Sequence, residues 1–421
     1  MTTPSAPSSE TESTASQLAE PLSPTIKALG AVSLLTDISS EMVYPINPAF
    51  LTRALGAPAW AVGLIEGTAE MLASVLKLYS GRLSDRMGRR KPLTLVGYSL
   101  GAISKPLIGL STVWPMMFFA RALDRTGKGI RTAPRDALIT ENSLPSQRGR
   151  AFGLHRSLDT TGAVLGPLIG YVFLRFFPDA LRQLYFLAFI PGMLSVFALW
   201  FFVRESGKDP AAKGNEKGLK SGASAPLPAF SFRSLSPEYR RYLGVVALFG
   251  LGNSSDAFLL LRAGDRGMTA ANLLLLYAAF NVVEAALGYF AGGLSDRVGR
   301  RPLIATGYII FAAVYLGFAA LPSAGAVWPL FLLYGLYYTL TQGTQRAYAA
   351  DLANPERRGA EIGAFHMVVG VSALPASIIA GWIYARVSPS LPFYISATTA
   401  LCAAILLIVL RPRPLVNDTT T

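Results

Sequence analysis

The sequence predicts an all-α membrane protein with twelve transmembrane helices in two pseudo-symmetric six-helix bundles, and three observations lead there. Apolar stretches long enough to cross a bilayer recur along almost the whole chain, basic residues gather in alternate connections, and the second half repeats part of the first. Composition agrees: 52% of the 421 residues are apolar and only 15% are charged, with a mean hydropathy of +0.40, too oily for a soluble protein of this length.

A spanning helix needs about 20 mostly apolar residues. On that measure the first half gives spans at 26–52, 59–81, 92–112, 115–138, 151–176 and 182–203. The second gives 240–262, 270–293, 302–321, 326–349, 360–385 and 391–410. Residues 1–24 are rich in Ser, Thr, Pro, Ala and Glu and have no basic segment leading into an apolar one, so they read as a disordered cytoplasmic leader and not a secretory signal. Residues 205–238, rich in Lys, Gly, Ser and Pro, read as a cytoplasmic linker between an amino-terminal bundle at 25–204 and a carboxy-terminal bundle at 239–411, with a tail at 412–421.

The net charge of +13 does not point to nucleic acid, because the basic residues sit at the ends of apolar spans. Arg86, Arg89, Arg90, Lys91, Arg148, Arg150, Arg297, Arg300, Arg301, Arg357 and Arg358 fall on one side, against Arg53, Arg182 and Arg266 on the other. The positive-inside rule then puts both termini in the cytoplasm. Cys402 is the only cysteine, which excludes an intrachain disulfide, and with two histidines no soft-metal cage is expected.

The internal repeat is direct. Gly81-Arg82-Leu83-Ser84-Asp85-Arg86-Met87-Gly88-Arg89-Arg90 follows the second span, and Gly292-Gly293-Leu294-Ser295-Asp296-Arg297-Val298-Gly299-Arg300-Arg301 follows the eighth. Weaker echoes pair Ser39-Ser40-Glu41 with Ser254-Ser255-Asp256, and Arg148-Gly149 with Arg358-Gly359. Parallel six-helix repeats are a transporter architecture that holds its substrate between the halves near the midplane. In each decapeptide Gly88 or Gly299 permits a tight turn, the arginines suit an anionic leaflet, and Asp85 or Asp296 can accept hydrogen bonds from a helix N-terminus or an Arg.

The two decapeptides resemble the loop signature of the major facilitator superfamily, and the resemblance extends from span one to span twelve. It implies a multi-pass transporter of the bacterial inner membrane, a monomer in the lipid bilayer, without enzymatic activity, resident metal or cofactor, drawing on a proton gradient to move a small molecule or ion. It also implies that Gly81, Asp85, Arg86, Gly88, Arg89, Asp296, Arg297, Gly299 and Arg300 latch one conformational state. Span five is similar to a motif of the exporting, antiporter branches through Gly162, Gly166, Pro167 and Gly170, although small residues at four-residue spacing also let helices pack closely. The second half has no faithful copy of it.

Span four is the most informative. Basic residues at mid-bilayer cost about 2.5–3.5 kcal/mol each on the lenient insertion scale, so several together must face a wet cavity or acidic partners. Arg121, Arg125 and Lys128 fall on one stripe. Arg125 with Gly129 also resembles a pattern that the superfamily links to proton transfer. Opposing acids are available in Asp37 and Glu41 of span one, Glu66 and Glu70 of span two, Asp124 of span four, Asp159 of span five, and Asp256 and Glu284 of the second half. These residues with Arg125 are the proton-coupling candidates, and a plain salt bridge from Asp37 or Glu41 to Arg125 or Lys128 is the structural alternative. Tyr44, Lys105, Arg121, Lys128, His155, Asn281, Tyr338, Gln342 and Arg346 are the candidates for the substrate cavity.

The leading expectation is proton-coupled efflux of a small solute by rocker-switch alternating access. Uptake by proton symport, export of a transition metal such as nickel, and a receptor or scaffold that has lost transport are the alternatives. The last would be expected to shed intramembrane charges that this chain keeps.

Overall fold

The computed structural model describes residues 21–205, 235–320, 323–354 and 357–410. The expected tail, and nearly all of the expected leader and linker, lie outside the described residues. Those described form α1 (Pro24–Glu41), α2 (Ala59–Met87), α3 (Lys91–Leu110), α4 (Trp114–Glu141), α5 (Arg148–Phe176) and α6 (Leu181–Phe202) in the first half. The second half contains α7, in two pieces (Pro237–Gly252 and Ala257–Asp265), then α8 (Ala270–Val298), α9 (Arg300–Ala320), α10 (Val327–Leu352), α11 (Arg358–Arg386) and α12 (Leu391–Leu410). Six helices in each half match the hydropathy. Nine of the twelve, among the described residues, are long and apolar enough to cross a membrane by length and composition; α1, α4 and α10 are not. These three carry much of the polar interior.

Local signals explain the ends. Ser23 caps α1 by accepting from the Ile26 amide at 3.3 Å, with Pro24 at the first helical position, and Ser236 and Pro237 repeat the device at α7. Gly88 ends α2 in the left-handed region at φ 63°, where its amide closes on Ser84 and Asp85.

Spans one and seven are not the continuous helices that hydropathy suggested. Pro45 has no amide proton and its ring would clash with the carbonyl of Glu41, so α1 stops there, and the chain proceeds through short helical turns to Ala54. The first piece of α7 stops at Gly252, and the helix resumes at Ala257. Each break carries the acid of the weak sequence echo, Glu41 or Asp256.

Within the first half, α5 lies along α1 on the stripe that resembles the exporter motif. A Cβ on Gly162, Gly166 or Gly170 would come within 2.6 Å of the Leu34 carbonyl, 2.7 Å of the Ile38 carbonyl or 3.0 Å of the Met42 carbonyl. The stripe is therefore a helix-packing surface. The second half buries a ring cluster instead, including Phe249, Tyr308, Phe311, Tyr315, Tyr334 and Tyr337. Phe119, Phe176, Phe201, Phe202 and Val409 stand exposed on the outside, as suits a lipid boundary.

At the end remote from the decapeptide loops the halves are in close contact. Arg53 donates to the Gly264 carbonyl at 2.8 Å, the Tyr44 and Tyr277 rings lie 5.4 Å apart, and Leu274 joins the apolar core of the first half. There α2 and α11 touch backbone to backbone: a Cβ on Gly63 would overlap the Ser377 carbonyl, and one on Gly381 would come within 2.9 Å of Trp60 Cα. Toward the decapeptide loops, inward polar groups such as Lys128, Arg156, Gln342 and Arg346 stay exposed. The result is a chamber closed at the far end and open at the loop end.

Replacing Gly166 by Ala should lower the unfolding temperature of the detergent-solubilised protein, since the added methyl meets main chain that cannot yield, a cost of about 1–3 kcal/mol. Gly153→Ala, where a Cβ meets nothing within 4 Å, should be neutral or stabilising in the same thermal-shift measurement.

Candidate functional site

The site starts from a lattice of ion pairs between α2, α3 and α4. Arg121, Asp124 and Arg125 share one face of α4, and Glu66 and Glu70 stand one turn apart on α2. Arg121 grips Glu66 with a two-pronged contact, both bonds at 2.9 Å, and donates a third bond at 2.9 Å to Asp124. The other Asp124 oxygen accepts from Lys105 at 2.6 Å and Ser104 at 3.2 Å. Arg125 reaches Glu70 at 3.2 Å on the chamber side. Three acids thus meet three bases, and the two most buried partners, Glu66 and Lys105, are each 2% exposed. Gly129 lets α4 and α2 approach this closely, since a Cβ there would stand 2.7 Å from that of Leu76.

This changes the roles expected for three residues. Lys105 and Arg121 were cavity candidates, but burial and acid partners occupy their donors, so they are not free to grip a solute. Asp124, a proton-coupling candidate, is clasped by Lys105 and Arg121. A charge in a low-dielectric interior costs several kcal/mol unless it is paired and hydrogen bonded, and these three supply that pairing to one another.

A second cluster lies between α1, α5 and α8. Ser33 donates to Asp159 at 2.7 Å, and the Asp37 carboxyl faces that of Asp159. Two carboxyls brought face to face repel when both are ionised, and one proton shared between them removes that repulsion. Arg156 donates to Asp159 at 3.3 Å and, across the interface, to Glu284 at 2.7 Å. Asn281 also crosses, donating to the Ala163 carbonyl at 2.8 Å. Neither Asp37 nor Glu41 is ion-paired with Arg125 or Lys128: Asp37 faces Asp159, and one oxygen of Glu41 is buried without a hydrogen-bond partner. His155 is buried with its Nε2 unpartnered, while Asp159 turns to Ser33, Asp37 and Arg156.

The second half answers the ionic lattice with rings. The decapeptides set Glu66 opposite Tyr277, and the shared Pro-Leu and Gly-Tyr steps at Pro92–Tyr98 and Pro302–Tyr308 set Lys105 opposite Tyr315. The Trp-Pro pairs at Trp114 and Trp328 set Asp124 opposite Tyr338 and Lys128 opposite Gln342. Phe280 joins these rings, 5.4 Å from Tyr277, 5.7 Å from Tyr334 and 5.5 Å from Tyr338. Asp256 accepts from the Tyr334 hydroxyl, and Gln342 donates to that of Tyr338. Arg346 is exposed toward the loop end. Arg156, Ser33, Tyr277 and Tyr334 escaped the candidate sets; the register of the repeat was the signal that would have found Tyr277.

At the decapeptide loops, Arg90 pairs with Asp85 at 2.6 Å and Glu141 at 3.1 Å, and donates to Ser84 at 2.7 Å. Burial works against the Arg90 charge, but its bonds to Asp85 and Glu141 outweigh that and raise its pKa above the ordinary guanidinium value. Arg300 pairs with Asp351 in the second half, so each loop is clipped to the end of the fourth helix of its own half. Arg86, Arg89 and Arg297 are exposed, and the Asp296 side chain lies outside the described residues. The Asp85 side chain is 70% exposed, and its ion pair lies within its own half.

Comparison with known proteins follows from this geometry. A family model for the Major Facilitator Superfamily matches residues 29–374 and 275–420. The chain is 35% identical over 393 residues to an uncharacterized MFS-type transporter of Methanocaldococcus jannaschii, covering 92% of this chain and 95% of that protein. It is 24% identical to the multidrug resistance protein MdtH of Photorhabdus laumondii over 383 residues, covering 86% of this chain and 88% of that one. The crystal structure of a D-xylose-proton symporter has the same fold at 15% identity, with a TM-score of 0.71 over 91% of this chain and 96% of that chain.

Removing one partner of the buried lattice should be far worse than removing a pair. Arg121→Met alone leaves Glu66 uncompensated and should cost about 3–5 kcal/mol of stability. The double variant Arg121→Met/Glu66→Leu leaves Asp124 with Lys105 and should recover most of the folded yield, read by size-exclusion profile and thermal unfolding.

Proposed function

The chain belongs to the Major Facilitator Superfamily and is a multi-pass membrane transporter of a small solute; on that premise we propose that it expels its solute in exchange for protons. In this reading the decapeptide loops and both termini face the cytoplasm of a bacterial cell, in the inner membrane, and the chamber open at the loop end is the inward-facing state. Likeness to MdtH, named as a multidrug resistance protein, supports export. The span-five glycines pack against α1, and their link to export rests on the motif resemblance alone.

The observation that carries the coupling is the chain of contacts Asp37, Asp159, Arg156, Glu284. With one proton between Asp37 and Asp159 the pair carries a single negative charge, and Arg156 divides its donors between that pair and Glu284 of the other half. Loss of the proton puts two negative charges side by side. Arg156 is then drawn toward α1 and α5, the link to Glu284 weakens, and the halves are freed to rock. Proton occupancy in one half is thereby read as a contact between halves, which is the differential interaction that coupling requires.

Expression in an efflux-deficient host should raise the inhibitory concentration of at least one compound in a panel of toxic solutes. Everted vesicles from those cells should lose part of their respiration-generated pH gradient when that compound is added. Asp37→Asn and Asp159→Asn should each abolish the loss without lowering membrane abundance. Greater sensitivity in place of resistance would reverse the direction, and undiminished coupling in both variants would remove the carboxyl pair from the mechanism.

A further inference from the structure

We propose that the chamber takes a zwitterionic solute, with an ammonium and an acid group on an apolar body, held between Glu41 and the Arg125 and Lys128 pair against a wall of tyrosines. This rests on the exporter reading and names the substrate class of the same chamber.

Once the ion pairs are matched, three ionic groups keep unused capacity. One oxygen of Glu41 is buried with no hydrogen bond. Arg125 is 8% exposed; its Nη1 holds Glu70, and its buried Nε, 3.9 Å from Asp124 Oδ2, makes no hydrogen bond. Lys128 is exposed in the chamber and has no ion-pair partner among the described residues. Arg121 lies 5.6 Å from the Tyr44 ring centroid, and about one turn nearer the loop end stand Glu41 on one side and Arg125 with Lys128 on the other, which makes the three neighbours. Yet none is bonded to another.

The arrangement has two signs. An anion placed on Lys128 and Arg125 would sit beside Glu41, and a cation placed on Glu41 would sit beside Lys128. Either solute gains one attraction and meets one repulsion, both strong where the dielectric is low. A molecule with an ammonium toward Glu41 and a carboxylate toward Lys128 and the Arg125 Nε satisfies all three groups and leaves no net charge behind.

The second half supplies the surface for the remainder of the molecule. Across the break in α1, Tyr44 lies against Tyr277, which continues through Phe280 to Tyr338. Arg121 lies over the Tyr44 ring at 5.6 Å, and Tyr44 meets Tyr277 at 5.4 Å, so the ring wall borders the charged face of α4. Aromatic faces accept apolar groups and stabilise a nearby ammonium. Asp256 is already engaged by Tyr334. The repeat places Gln342 opposite Lys128 and Thr339 opposite Arg125, so only the first half grips with charge.

The test is binding to the purified full-length protein, read as the shift in unfolding temperature and as intrinsic tryptophan fluorescence. The probes are amino acids and dipeptides with aromatic or branched side chains, the methyl ester of each, which keeps only the ammonium, and the N-acetyl derivative, which keeps only the acid. At least one zwitterion should bind tenfold or more tightly than both of its blocked derivatives. Glu41→Gln should erase the discrimination against the N-acetyl compound and Lys128→Gln that against the ester, each variant being first checked to unfold at the wild-type temperature without ligand, with Glu41→Ala and Lys128→Met replacing any that does not; Glu41→Asp and Lys128→Arg, which keep the charge, should keep the discrimination. A panel with no zwitterion binder, blocked derivatives that bind as well, or variants that weaken all three classes equally would overturn the proposal. Zwitterion binding without proton-driven flux in proteoliposomes would defeat the exporter reading and leave this inference standing. Proton-driven flux of other solutes, with which zwitterions neither bind nor compete, would do the reverse.

Discussion

A charge inside a membrane has to find its opposite, and the interior of this protein is arranged around that requirement. Arg121 cannot be placed on α4 without Glu66 on α2, nor Lys105 on α3 without Asp124, because water is not there to solvate what remains. Meeting these needs draws three helices into close contact. The lattice is best understood as the frame that holds the first half in shape, with Glu70 and Arg125 at its margin where frame gives way to chamber.

Three of the six lattice positions, those of Glu66, Lys105 and Asp124, carry tyrosines in the second half, so one architecture is stabilised by two different forces. Ion pairs are strong, directional and intolerant of a missing partner, whereas stacked rings contribute through area and tolerate sliding. A rocking mechanism benefits from such a difference, because one half can keep its shape while the other adjusts to what is bound. Through Arg156 the ionic half reaches an acid of the other, Glu284.

Much of this could be read from the residues alone. Apolar run length and the repeated decapeptides give six helices in each half, because both depend on local composition. The intramembrane acids and bases were also visible, since each is anomalous where it stands. Which acid meets which base was not, because Glu66 and Arg121 are 55 residues apart in the chain and only packing brings them together. The breaks in α1 and α7 escaped a hydropathy reading, which averages over Pro45 and Asn253, although the effect of Pro45 on the Glu41 carbonyl is a local matter. The exporter-like glycines show the converse: their spacing was plain, but what they touch makes them a packing surface against α1.

The ionic lattice also bears on how the chain enters the bilayer. Helix α4 is too polar to be retained there on its own, and its partners Glu66 and Lys105 lie on α2 and α3, which precede it in the chain. When α4 leaves the ribosome the groups that neutralise it are already in place, so the order of synthesis performs part of the folding. A permuted chain that began at α4 would present the same residues to the insertion machinery with nothing to receive them. The vulnerable step in making this protein is thus the handover of the fourth helix, before any solute has been met.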